Sequence, residues 1–483
     1  MDVMQQFLNI PYSMPEKRCK AERSNDFTEI YKKFPLDKAT GQASRCEQCG
    51  IPFCQIHCPL NNNIPDWLRF VAEGRIEEAY RISQATNTFP EICGRICPQD
   101  RLCEGTCVLE QSNHKTVTIG AIESYITDTA WEQGWVKGPL PVSDYAQSVG
   151  IIGAGPAGLA AADKLRAYGF KVHVYDRQDR MGGLLIYGIP NFKLEKEIVE
   201  KRTNLLEASG VNFNKNTEVG DEISFSELRE RHDAVLIATG VYKAREILIP
   251  GVNQEGIYPA MDYLKASNRK GLGDSVEEFD SGNMNAYGKD VIVVGGGDTA
   301  MDCVRTAVRQ GASSVKCVYR RDRENMPGSR REVAHAEEEG VKFIWLSEPE
   351  VFHGKASVNA IQLHKMHLGI PDVTGRQTPK KLPGTKSTLK ADMVITALGF
   401  EPEDIPMLFG EPRLATTHWG TIKVQEPYKM TSIPGVFAAG DIMRGASLVV
   451  WAIRDGRDAA DEIFQYLKPD DAKLNEQGLG LTK

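Results

Sequence analysis

The sequence predicts an α/β chain: two Rossmann-like three-layer dinucleotide-binding domains preceded by a mostly helical domain. Three observations carry this. Residues 149–176 (VGIIGAGPAGLAAADKLRAYGFKVHVYD) read as a strand, a glycine turn, a helix and a second strand ending in an acid. Residues 289–321 (KDVIVVGGGDTAMDCVRTAVRQGASSVKCVYRR) repeat that order. Ahead of both, eight of the eleven cysteines crowd between Cys46 and Cys107. Strands alternating with helices in this way build parallel sheets covered on both faces.

Composition narrows the function. At 483 residues the chain has room for roughly two to four domains. Its 41% hydrophobic content suffices for large cores, and a net charge of −7 without a basic stripe argues against nucleic acid. The start, MDVMQQFLNI, has neither the basic nor the apolar region of a signal peptide. No run approaches the ~18 apolar residues that would span a bilayer. A cytoplasmic protein without a membrane anchor is expected.

The front domain is expected over residues 1–145. Its first 40 or so residues show no chemistry and read as a lead-in that packs on something else. Then come C-x2-C-x4-C-x3-C-P (Cys46, Cys49, Cys54, Cys58) and C-x3-C-P-x4-C-x3-C (Cys93, Cys97, Cys103, Cys107). Between them Trp67, Phe70, Val71, Ile76, Ala79 and Tyr80 recur at helical spacing, and Pro65 suits a first helical turn. Another helix is expected in TIGAIESYITDTAWEQGW, and GPLPVSDY reads as a linker. In a reducing compartment such thiol density means metal ligation rather than disulfides. The proline-flanked runs suit two [4Fe–4S] clusters, the last cysteine of one run serving the other cluster. Structural zinc and free thiols are the alternatives; only Cys46–Cys49 has the zinc-knuckle spacing. His57 is expected as a hydrogen-bonding neighbour of Cys58 rather than a ligand.

The first nucleotide domain is expected over residues 146–287. Gly153 permits the sharp turn, Gly155 admits a pyrophosphate, and Gly158 lets helix and strand pack. Pro156 and Ala157 open the helix, whose N-terminus presents free N–H groups to phosphates. Asp176 stands where a carboxylate takes ribose hydroxyls. Gly183 and Leu184 follow a glycine pair that allows close backbone approach or a plain turn. Thr239 and Gly240 end a buried strand beside the cofactor.

A second nucleotide domain is expected over residues 288–405. Gly295 and Gly297 take the first two glycine positions and Ala300 the third, with Asp298 and Thr299 between. Aligning VHVYDR with KCVYRR puts Arg320 where Asp176 stands, with Arg321 next. An arginine pair suits a 2′-phosphate, so this site should prefer NADP(H). Residues 341–390 read as strands with a polar excursion, and Gly399 tips another buried strand. Residues 406–483 should return to the first domain and end in a C-terminal tail: Gly440 and Asp441 close a strand, and Leu448 and Val449 begin a helix facing a flavin edge.

Together these motifs resemble the two-dinucleotide-binding-domain flavoproteins, with FAD at GAGPAGL, NADPH at GGGDTA, and GVFAAGD returning to the FAD. The cysteine-rich front resembles the subgroup that carries a mostly helical iron–sulfur domain, and the whole chain resembles the small (β) subunit family of bacterial NADPH-dependent glutamate synthases. The resemblance implies that Cys46, Cys49, Cys54 and Cys107 hold cluster one. It implies Cys58, Cys97 and Cys103 for cluster two, with Glu123 as fourth ligand and Cys93 as the competing choice.

Hydride transfer between nicotinamide and flavin needs no side-chain acid or base, so no catalytic residue is expected. Cys303 and Cys317 stand alone in sequence, which argues against a thioredoxin-reductase dithiol. The three domains leave no room for an organic-substrate site. Electrons should therefore leave to a partner. The resemblance implies the large glutamate synthase subunit, which carries the amidotransferase and glutamate-forming sites of ammonia assimilation. The rivals are a reductase subunit for ferredoxin or sulfur species, and a zinc-stabilised interaction module on a degenerate flavoprotein.

Overall fold

Two five-stranded parallel sheets grow from the two glycine-turn units. The first has the order Val436–Ala438, Ala234–Ile237, Ser148–Ile152, Lys171–Tyr175, Val211–Asn214. The second has the order Ile257–Pro259, Met393–Thr396, Asp290–Val294, Ser314–Val318, Lys342–Ile344. Val149, Ile151, Val291 and Val293 are fully buried, as expected of strands covered on both faces. The computed structural model describes residues 5–373, 375–425 and 428–467, so the C-terminal tail expected after the last helix lies outside the described residues. Among the described residues no helix is long and apolar enough to cross a membrane.

The expected boundary at residue 288 needs correction. Ile257–Pro259 pairs with Met393–Thr396, so the second sheet takes its edge strand, and the helix Ala260–Gly271 behind it, from before the repeated motif. The outgoing and returning segments pair with each other, Ala244 with Phe400 and Lys243 with Glu401. Local periodicity marks strands but not which sheet claims a three-residue one. Residues 347–390 form a three-stranded antiparallel sheet beside this domain.

The front domain is helical as read. Ile64–Ala72 and Ile76–Thr86 bury Trp67, Val71, Ala79 and Tyr80 against Ile119–Glu132. The lead-in docks on the second nucleotide domain: Lys17 and Arg23 both reach Glu338, at 2.8 and 2.6 Å. A buried ion pair ties the front domain to the first sheet's domain. Arg202 donates to both oxygens of Glu91 at 2.7 and 3.0 Å, with both side chains 1% exposed. The helix Val449–Leu467 crosses Pro156–Tyr168 so closely that a Cβ at Gly456 would lie 2.1 Å from the Ala157 carbonyl.

Candidate cofactor and electron-transfer sites

Two thiol-lined hollows sit in the front domain. Cys46, Cys49, Cys54 and Cys107 line one, walled by Pro52, Leu68, Leu109 and Val117. Cys58, Cys97 and Cys103 line the other, together with both Cys93 and Glu123. Cysteines far apart in sequence thus sort as the four-and-three division requires. Ile119 lines both hollows. Exposed His57 points away, its Nδ1 2.9 Å from the Phe53 carbonyl.

The donor chemistry fits a cationic, polynuclear group. Burial pushes the Cys46 and Cys54 thiols up to about 12 and Cys58 up to about 11. Thiolates here are costly unless a bound cation compensates them, which is what cluster iron does. Glu123 is buried. Burial lifts its carboxyl to about 8, against the pull of the Asn87 amide 3.2 Å away. Asn87 Oδ1 lies 3.7 Å from Cys93 Sγ, so the same amide bridges the two rival fourth ligands.

The first glycine turn opens on two adjoining hollows. One, about 100 Å³, is lined by Gly153, Gly155, Pro156, Ala157, Asp176, Leu184, Thr239, Gly240, Gly440, Asp441, Leu448 and Val449. Gly158 and Gly183 serve by packing: their Cβ atoms would lie 2.0 Å from the Gly153 carbonyl and 2.9 Å from the Gly155 Cα. Gly153 has φ of 102°, which favours glycine, and a Cβ there would strike the Ala238 carbonyl at 2.5 Å. A Cβ at Gly155 would meet nothing within 4 Å; it would project into open space at the helix N-terminus. That cradle, and the buried Thr239 hydroxyl with no partner among the described residues, fit a bound dinucleotide.

Asp176 holds the turn. Its Oδ2 accepts the Ala154 N–H at 2.7 Å and its Oδ1 the Gln178 N–H at 2.8 Å. Burial raises its carboxyl despite these bonds. Asp441, at the start of the short helix Asp441–Arg444, is raised to about 7 by burial.

The second hollow, about 370 Å³, continues past Asp176 and contains groups that sequence reading missed. Tyr242 lines both hollows, with Arg177 over its ring at 5.1 Å. Met261, Asp262 and Lys265 reach in from the helix Ala260–Gly271 of the other sheet. Tyr242 follows Gly240 closely enough to have been suspected. Lys265 carries no such signal, because only the tertiary fold brings it there.

In the second unit, Gly297 caps the helix Asp298–Arg309, with Asp298, Thr299 and buried Ala300 in its first turn. A Cβ at Gly297 would again meet nothing within 4 Å, so this turn has the same open cradle. Asp298 accepts the Ser329 N–H at 2.8 Å. Gly295 packs on the Ala397 carbonyl; Gly399 lies two residues on, its own carbonyl accepting the Arg245 N–H at 3.0 Å. Arg320 is 53% exposed, 3.6 Å from Glu348, and Arg321 Nε has no partner among the described residues.

The expected match of Arg320 to Asp176 is off by one. Ile152 pairs with Tyr175, while Val294 pairs with Val318, so the residue matching Asp176 is Tyr319. The second unit has one more residue between glycine turn and strand than the first, whereas matching the shared Val-Tyr of VHVYDR and KCVYRR implies two. Cys303 and Cys317, apart in sequence, share the core beneath this turn, away from the first unit's hollows.

The hollows lie in series. Val449 lines the first unit's hollow, Val450 the second thiol hollow, and Ile119 joins that to the first. At the hollow of Cys46, Cys49, Cys54 and Cys107 the lining residues Phe53 and Val108 are exposed by 45 and 40%, and Ile51 and Ile56, near them in sequence, by 62 and 55%.

The family model described as dihydropyrimidine dehydrogenase domain II, 4Fe-4S cluster, matches residues 23–135, and that of pyridine nucleotide-disulphide oxidoreductase matches residues 147–456. A glutamate synthase [NADPH] small chain of Azospirillum brasilense is 63% identical over 462 residues, covering 96% of each chain. One from Escherichia coli K12 is 44% identical over 469 residues, covering 96% of this chain and 98% of its own. In fold alone, Mycobacterium tuberculosis FprA in complex with NADPH is similar, with a TM-score of 0.58 at 21% identity over 69% of this chain and 87% of that one.

Proposed function

Because the chain belongs to the glutamate synthase [NADPH] small-chain family, we propose that it is the electron-input subunit of that enzyme. It oxidises NADPH and delivers electrons to a large subunit that forms L-glutamate from glutamine and 2-oxoglutarate. The observation that carries this reading is the series of hollows, from glycine turn to thiol site to thiol site, ending under an exposed apolar rim. When bound, FAD supplies the change from two-electron to one-electron chemistry and the clusters supply single-electron carriers.

The chain's own residues position and insulate. Gly155 and the helix N-terminus at Pro156 receive the FAD pyrophosphate, and Asp176 takes the ribose hydroxyls. Leu448 and Val449 wall the flavin end against water. The turn from Gly295 to Ala300 takes the NADPH pyrophosphate, and Arg320 and Arg321 the 2′-phosphate. Cys46, Cys49, Cys54 and Cys107 hold cluster one. Cys58, Cys97, Cys103 and Glu123 hold cluster two, with Glu123 rather than Cys93 as fourth ligand by resemblance to the family; both line this hollow. We assign the front domain, the FAD domain in two parts and the NADPH domain to these tasks. A cytoplasmic location fits the unpaired thiols.

Four exposed apolar side chains around cluster one are the docking face for the large subunit. Purification under anaerobic conditions tests the whole reading. About eight iron and eight sulfide per chain, one FAD and a large flavoprotein partner are expected. Stoichiometric zinc in place of iron overturns it.

A further inference from the structure

The two glycine-turn units align through their backbone hydrogen bonds. Gly153 donates to the Tyr175 carbonyl at 2.8 Å, and Gly295 to the Val318 carbonyl at 3.1 Å. One residue on, Asp176 donates to Asn214 at 3.0 Å and Tyr319 to Ile344 at 3.1 Å. Tyr319 therefore stands where the first unit has its ribose carboxylate. The residue between the first two glycines changes with it. In the first unit it is Ala154, whose N–H binds Asp176; in the second it is Gly296, where a Cβ would lie 2.4 Å from the Tyr319 ring. An aromatic ring, rather than a carboxylate, rests on the turn. It is tethered by its hydroxyl, which donates to the Asn325 carbonyl at 3.1 Å.

We propose that Tyr319, seated on Gly296, is a specificity-determining residue for the nicotinamide nucleotide. This rests on reading the turn from Gly295 to Ala300 as the NADPH site. A carboxylate there would accept hydrogen bonds from a free 2′-hydroxyl and repel a 2′-phosphate. The ring does neither. It leaves the adenosine end facing Arg320 and Arg321, which reward only the phosphorylated nucleotide. Discrimination then has two parts: attraction of the 2′-phosphate by arginine, and removal of the group that would bind NADH.

Calorimetric titration of the FAD-loaded full chain with NADP+ and with NAD+ tests this without turnover. In Tyr319→Phe, which keeps the ring, the NADP+/NAD+ affinity ratio should match wild type. In Tyr319→Asp it should fall by at least about tenfold, since one charge-assisted hydrogen bond gained and one repulsion added each weigh on it. Adding Gly296→Ala to Tyr319→Asp rebuilds the first unit's pair and should lower the ratio further. If Tyr319→Asp loses its FAD, Tyr319→Asn is read instead, with a fall of about threefold expected from a neutral acceptor. An unchanged ratio in the aspartate variant, or in the asparagine variant read in its place, overturns the proposal, as does an equal fall in Tyr319→Phe. A wild type that binds both nucleotides alike would instead defeat the reading of the site itself.

Discussion

Val449 and Val450 are neighbours at the start of one helix, and they line different hollows: Val449 the one beneath the first glycine turn, Val450 the one ringed by Cys58, Cys97, Cys103 and Glu123. One residue step along this helix thus separates the hollow beneath the glycine turn from the nearer thiol hollow. Arg454, farther along the helix, donates to the carbonyl of Pro59, next to Cys58, and fixes that spacing.

Filling the cluster side of this wall should be selective. Val450→Arg pushes a cation into the second thiol hollow. Iron should drop from about eight to about four per chain, while FAD content stays at one. Iron and flavin assays on the same sample check this.

The fourth ligand of cluster two is decided by a pair of variants. Glu123→Ala should lose or convert the cluster, and Cys93→Ala should keep it, as read in the EPR spectrum of the reduced protein. The reverse pattern assigns the ligand to Cys93.

The glycine turns, cysteine runs and family membership were all legible in sequence, because each depends on residues within a few positions of one another. Where the reading failed, distance or a loop length was the cause. Tyr319 was missed because the shared Val-Tyr of the two strand ends invites a match one residue too far along, which only the hydrogen-bonded register corrects. Lys265 and Met261 reach the first unit's hollow from the other sheet. Ile257–Pro259 is too short to declare which sheet it joins. Val450 looked like any apolar helix residue.

Breaking the Arg202–Glu91 pair should be costly. Both side chains are 1% exposed, and Arg202 also lies over the rings of Phe89 and Trp131 at 5.7 and 5.3 Å. Glu91→Ala leaves a buried guanidinium alone, worth about 3–5 kcal/mol of stability. Replacing both by leucine should recover most of it, as denaturant unfolding of the two variants will show.

Acid stability should depend on Glu339. Burial favours its neutral form, but the Arg309 and Arg305 guanidiniums at 2.8 Å outweigh this and lower it from 4.5 to about 2. A depressed carboxyl stabilises the fold above its unfolded value and loses that contribution as pH falls through the folded one. Stability worth about 3 kcal/mol should therefore vanish between about pH 4.5 and pH 2. Glu339→Gln should flatten that part of the acid-unfolding curve.

Electrons from NADPH should reach glutamate formation only through the cluster held by Cys46, Cys49, Cys54 and Cys107. The direct measurement uses Cys54→Ala assembled with the large subunit, comparing NADPH-driven glutamate formation with NADPH-driven reduction of an artificial dye. Dye reduction should persist and glutamate formation should cease. Glutamate formed at the wild-type rate by a complex whose cluster-one iron is gone would contradict it.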